Sequence, residues 1–138
     1  MTPYKGEGFY EKLGVKPAIN GFSWVTIMGG SIMPPPVVRA MEEASKFFVD
    51  MHILNTKAGE VIARLTGAEA GLVTAGSAAG MLLQAAACMT GIDPVKVNLL
   101  PDTRSMKNQI VLHRTHHVGF VRTYRAAGAK LVEIGDMD

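Results

Sequence analysis

The stretch AGEVIARLTGAEAGLVTAGSAAG, residues 58–80, decides how this chain is read. Val61, Ile62 and Leu65 give an apolar face at helical spacing, and Gly67 stands where a helix stops. Leu72 and Val73 form a short apolar run, which predicts a strand over 71–74 covered on both faces. Ala75, Gly76, Ser77 and Ala78 follow and open a long Ala-rich helix. A small-residue turn between a strand and a helix start leaves backbone N–H groups free, and the helix dipole makes that end positive. An anion can sit there. Gly-Ser ahead of a helix is also a plain N-cap, and both readings stand on this stretch alone. No Gly-Lys-Ser/Thr follows, and the glycine spacing of a dinucleotide loop is absent, so a nucleotide is disfavoured. A smaller phosphate, of the kind a cofactor carries, suits the turn better.

Towards the C-terminus, a helix over about 77–89 is apolar almost all round, which predicts burial, and Gly91 ends it. Residues 92–108, with Pro94, Pro101 and Asp102, read as one long loop. A strand over 109–112, a His-rich turn, a helix over 118–127 ended by Gly128, and a strand over 130–134 complete the pattern. This alternation predicts an α/β fold with a mostly parallel sheet flanked by helices. Ligands in such sheets bind at the carboxyl ends of the strands. Both the Gly76-Ser77 turn and the 113–117 turn are expected on that edge.

Towards the N-terminus, Phe9 to Leu13 suggests a short helix, and the prolines at 34–36 set up another over about 37–51. A break near Asn55-Thr56 is expected, with Thr56 as cap of the next helix. FSWVTIMGGSIM, residues 22–33, is apolar and glycine-broken, and is expected to be buried against something. The chain is therefore expected in two parts. Residues 1–57 supply an N-terminal segment and helices that pack on a large domain, and 58–138 supply the first βαβαβ portion of that cofactor-binding domain.

Composition excludes several classes. The chain has 138 residues, is 48% hydrophobic and 19% charged, and so is not of disordered type. A formal net charge of +2 gives no support for nucleic acid or an anionic membrane. Cys88 is the single cysteine, which excludes an internal disulfide and suits a reducing compartment. The opening MTPYKGEGFYEKLG lacks the apolar core of a secretory leader, and no apolar run is long enough to span a bilayer. A cytoplasmic protein is expected. Nine methionines and the Gly-rich breaks suit ordinary core filling or a surface packed against another domain or subunit.

His113, Arg114, His116 and His117 crowd the turn after the strand over 109–112. Their spacing matches no metal motif, and no metal is expected. A solvated polar turn and a ligand site remain open. Imidazole can stack on a flat heteroaromatic ring and move protons near neutral pH, and Arg114 offers a charge to a carboxylate or phosphate. With Cys88 inside an apolar helix pattern, no Ser-His-Asp or Cys-His set can be assembled.

At this point the chain resembles a known group. Its carriers are LGVKPAING, MGGSIMPPPVVRAM, KAGEVIARLTGAEAGLVTAGSAAG, MTGIDP, LPDTRSMKNQIVLHRTHHVGF and RAAGAKLVEIG, in that order over essentially the whole length. Together they resemble the N-terminal part of a fold type I pyridoxal-phosphate enzyme, the aspartate-aminotransferase fold. Within it they resemble the group of selenocysteine synthase and D-glucosaminate-6-phosphate ammonia lyase. The GGSIMPP run and the PDTRSMKN loop look more like the lyase branch.

The resemblance implies an incomplete α/β fold and pyridoxal 5'-phosphate as cofactor. It implies that Gly76, Ser77 and Ala78 hold the phosphate and that the His116 ring stacks on the pyridine, with His117 as the substitute if the alignment slips by one. It implies a substrate side formed by Gly29 to Ser31, within which Gly30 and Ser31 are the candidates, with His117 and Arg114 beside them. The implied reaction removes or replaces a β-substituent on an amino acid or amino sugar acid, in a homo-oligomer. The alternatives are a seryl-tRNA selenium transferase-like enzyme and a non-catalytic module that keeps the fold. No lysine here matches the family's Schiff-base lysine, and Lys107 precedes its strand at the opposite sheet edge. The chain is thus expected to be an N-terminal fragment without a catalytic residue of its own, inactive alone and prone to associate through an open sheet edge.

Overall fold

A computed structural model describes residues 8–136. The first seven residues, where the sequence shows no leader core, lie outside them. The chain divides into two compact units, Met1–Phe48 and Val49–Asp138.

In the first unit, α1 is Phe9–Lys12, a 3-10 turn covers Thr26–Met28, and α2 is Pro35–Ala44. Proline at the start of α2 costs nothing, because the first helical N–H groups have no intrahelical partner. The helix ends seven residues before Met51 rather than running on to it. Ser45 Oγ turns back to donate to Glu42 O at 2.7 Å, and the next helix has its own start. The 22–33 stretch is held locally: the Asn20 amide accepts from Phe22 N at 2.9 Å and donates to Ser23 O at 2.8 Å. Its large side chains are exposed, Trp24 at 83% and Ile27 at 91%, so the burial expected for this segment is not found among the described residues.

In the second unit, α3 is Met51–Thr66, α4 is Ser77–Thr90 and α5 is Pro94–Leu99. Strand β1, Gln109–His113, is followed by 3-10 turns at Arg114–His116 and Gly119–Val121, then α6, Arg122–Ala126, and β2, Lys130–Ile134. The start of α3 is a correction. Asp50, not Thr56, is its cap, accepting from His52 N at 2.8 Å and Ile53 N at 3.2 Å. Thr56 lies inside the helix and donates back to His52 O. The expected long loop at 92–108 also contains a helix. Asp93 caps α5 through Val95 N at 2.9 Å, and Pro94 takes its first position.

β1 and β2 run parallel, with Gln109 opposite Lys130 and His113 opposite Ile134. Residues 71–74 do not join them: among the described residues the sheet has two strands, not the three expected. The segment is extended, but a single side chain takes the place of a neighbouring strand. Asn55 donates to Val73 O at 3.1 Å and accepts from Val73 N at 3.3 Å. Leu72 and Val73 are exposed, where the apolar run predicts cover on both faces. The close approach of this segment to α3 depends on two glycines. A Cβ on Gly59 would overlap the Gly71 carbonyl, and one on Gly71 would meet Ile62 at 3.0 Å.

The core gathers where α4 meets the turn between α6 and β2. Ala85, Met89, Ala127 and Ala129 are buried, with Leu82, Ile110 and Tyr124 packed against them. Small side chains here let the helix sit close to the sheet. Cys88 faces away from this core and is exposed, against the burial expected for it. A polar knot ties the loop before β1 to the same turn. Thr103 Oγ1 donates to Gly128 O at 2.6 Å and accepts from Asn108 Nδ2 at 2.9 Å, and Lys130 N donates to Asn108 O at 2.7 Å.

Candidate functional site

Two turns carry the residues singled out by sequence. The first is 74–78, at the start of α4. Gly76 N donates to Thr74 O at 2.8 Å, and Thr74 Oγ1 donates to Gly76 O at 3.0 Å. Gly76 has φ 89° and ψ 167°, a backbone region closed to other residues. It is the N-cap itself, so Ser77 occupies the first helical position and its hydroxyl is not used as a cap. The first backbone bond of the helix is Gly80 N to Gly76 O. The N–H groups of Ser77, Ala78 and Ala79 therefore precede the helical ladder, at the positive end of a helix spanning 14 residues.

The second turn follows β1. His113 Nδ1 lies 2.8 Å from Thr115 Oγ1, and the His113 and His116 rings are 5.9 Å apart, tilted by 57°. His117 and Arg114 both reach Glu133 on β2, the residue after the partner of Val111. His117 Nδ1 hydrogen-bonds Glu133 Oε1, and Arg114 Nε lies 3.9 Å from Glu133 Oε2. The turn thus separates its imidazoles. His117 is tethered to a carboxylate, whereas His116 lies beside the His113 ring and makes no side-chain hydrogen bond among the described residues.

No hydrogen bond or ion pair among the described residues joins the 74–78 turn to the histidine turn, and the ladder does not set them side by side, because 71–74 is outside it. Gly30 and Ser31 belong to the first unit, where Gly30, at φ 77°, donates its N–H to Val25 O at 3.0 Å. Among the described residues no cluster of His, Cys, Asp and Glu is disposed to hold a metal.

Sequence reasoning missed Asn55, Glu133 and a groove of about 440 Å³ between α3 and residues 69–72, lined by His52, Asn55, Gly59 and Glu69 among others. Neither Ser77 nor His116 lines it. Glu133 had a signal: it is the one acidic residue within Lys130–Ile134, KLVEI. A second hollow of about 360 Å³ is bordered by Asp102 and Arg104. Arg104 donates to Asp102 through Nε at 2.9 Å and through its terminal nitrogen at 2.6 Å. That side-chain bond, followed by the Arg104 backbone N–H, lowers the Asp102 carboxyl to about 2.

The fold is a partial α/β fold with a small parallel sheet. No family model matches the chain. In sequence it is 36% identical over 139 residues to D-glucosaminate-6-phosphate ammonia lyase of Salmonella typhimurium (strain 14028s / SGSC 2262), a match covering 98% of this chain and 37% of that protein. It is likewise 36% identical over 131 residues to 5'-C-glycyluridine monooxygenase-decarboxylase of a Streptomyces species, covering 91% of this chain and 33% of that protein. A solved structure of D-glucosaminate-6-phosphate ammonia-lyase superposes with a TM-score of 0.89, covering 99% of this chain and 37% of the other. The chain therefore resembles part of D-glucosaminate-6-phosphate ammonia lyase, and spans little more than a third of the relatives it matches. Among the described residues no helix is long and apolar enough to cross a membrane.

Proposed function

We propose that this chain supplies the phosphate-holding and ring-stacking part of a pyridoxal-phosphate-dependent lyase that acts on an amino acid or amino sugar acid. The observation that carries this reading is the turn at 74–78. Its glycine-only backbone presents the N–H groups of Ser77, Ala78 and Ala79 and the Ser77 hydroxyl without protein acceptors in the helix ladder. Oriented N–H groups at a helix start are the donor set a phosphate takes. The resemblance to the ammonia lyase supports the cofactor identity, and the untethered His116 ring supports its role as the stacking residue.

When bound, the cofactor supplies an electron sink for cleavage at the β-carbon of the substrate. The chain's own residues bind and orient it. Ser77 and the neighbouring N–H groups hold the phosphate, His116 covers one ring face, and Arg114 and His117 lie towards the substrate. The Schiff-base lysine is expected from outside these 138 residues.

Titration with pyridoxal 5'-phosphate, followed by fluorescence, tests this. Binding is expected to weaken about tenfold in Ser77→Ala, the loss of roughly one charge-assisted hydrogen bond worth ~1.4 kcal/mol. His116→Ala is expected to weaken it to a similar degree. Unchanged binding in both variants would overturn the assignment. Borohydride trapping on one lysine of this chain, at unit stoichiometry, would overturn the expectation that the lysine lies elsewhere.

A further inference from the structure

We infer that Glu133 is a positioning residue that fixes the orientation and tautomer of His117 and so leaves Nε2 as its proton-accepting atom. A carboxylate only accepts hydrogen bonds, so the bond between His117 Nδ1 and Glu133 Oε1 places the ring proton on Nδ1. In neutral imidazole the other nitrogen then carries the lone pair. The second carboxylate oxygen, Oε2, faces Arg114 Nε at 3.9 Å, which restrains its rotation. The Glu133 side chain is 31% exposed and that of His117 36%, so the pair is partly shielded while His117 keeps access to a ligand.

The arrangement follows from strand register. Leu112 on β1 stands opposite Glu133 on β2, so the carboxylate lies one residue short of the strand end from which the turn departs. From there it reaches back under the turn to the second and fifth residues of 113–117. His113 instead meets Thr115, and His116 lies beside the His113 ring. One carboxylate thus assigns different work to adjacent histidines, with 117 held as a directed base and 116 left as a free ring. What His117 then meets rests on the cofactor reading above; its tautomer does not.

Nitrogen NMR of the chain with ring-labelled histidine, above neutral pH, tests the inference, with His117 assigned by its loss in His117→Gln. The native chain is expected to show His117 as the Nδ1–H tautomer. Glu133→Gln is expected to keep it, because the amide oxygen still accepts. Glu133→Ala is expected to release His117 into the exchanging mixture of both tautomers while the His116 signals stay in place. A native His117 protonated on Nε2, or one unchanged in Glu133→Ala, overturns the inference. If the alanine variant fails to fold, the native tautomer decides alone. Pyridoxal 5'-phosphate affinity is measured beside it. A fixed Nδ1–H tautomer without binding overturns the cofactor reading alone, and binding with a mixed tautomer overturns this inference alone.

Discussion

Two extended segments of the second unit solve the same problem in opposite ways. β2, KLVEI, gives its backbone to β1 along five paired positions, and its Leu131 and Val132 are half-buried. Residues 71–74, GLVT, carry a similar apolar pair but receive one asparagine amide in place of a strand and leave Leu72 and Val73 exposed. Backbone polar groups need partners wherever they sit, and a side-chain amide can satisfy one donor and one acceptor at a single residue. It cannot extend a ladder or bring a covering layer. A paired strand therefore belongs to the cooperative core, whereas 71–74 is a locally pinned strand-shaped segment leading into the 74–78 turn.

The largest effect is expected from the core beneath the paired strand. Met89 on α4 is buried beside Ala127 and Ala129. Met89→Ala removes most of that side chain and leaves a cavity, with a cost of about 3 kcal/mol within the range for buried Met-to-Ala changes. The urea midpoint is expected to fall, and amide protection across β1 and β2 to fall with it. If only the 71–74 amides respond, the contrast between the two segments is wrong.

Asn55→Ala tests the other side of the contrast with a smaller cost. It removes both bonds to Val73, and since Val73 is half-exposed, water replaces much of what is lost. The net effect is expected at about 1 kcal/mol, the usual range for a hydrogen bond that water can replace. Hydrogen exchange at Val73 is expected to rise markedly while Val132 stays protected. Equal loss at both residues would mean that the amide clamp is part of the same cooperative unit as the ladder.

The same contrast explains what could be read without coordinates. The strand over 130–134 and the helix from Ser77 were legible to within a residue, because β-branched runs, a closing glycine and an Ala-rich stretch all act locally. The strand status of 71–74 was not. Its apolar run carries the sequence of a covered strand, but pairing is decided by a partner, and Asn55 lies 18 residues away. The α5 helix was legible and passed over, since Asp93-Pro94 is a capping residue followed by a first-turn proline. The start of α3 was hidden because Phe48 and Met51 fit the helical face of α2, so periodicity ran straight across the break that Asp50 makes. The 74–78 turn was legible from small residues alone. The distinction between His116 and His117 was not, because it depends on Glu133, which only the parallel register brings under the turn.

The smallest expected effect separates surface charge from both segments. Asp102 is held near about 2, below its ordinary 3.8, first by the Arg104 side chain and then by the Arg104 backbone N–H. A carboxyl whose folded value is depressed contributes stability that is present above the ordinary value and lost as pH falls through the folded one. The window here runs from 3.8 down to about 2. Both side chains are exposed to solvent, where ion pairs contribute little. Urea midpoints of the native chain and Asp102→Asn, followed by circular dichroism across pH, are therefore expected to differ slightly above that window, with the native chain the more stable, and to converge as pH falls through it. The polar knot of Thr103, Asn108 and Gly128 begins one residue later and is partly buried, with Thr103 itself buried, so it should persist in the variant. A large difference at neutral pH would instead mean that Asp102 anchors that knot, and that the loop before β1 owes its place to charge rather than to the bonds of Thr103.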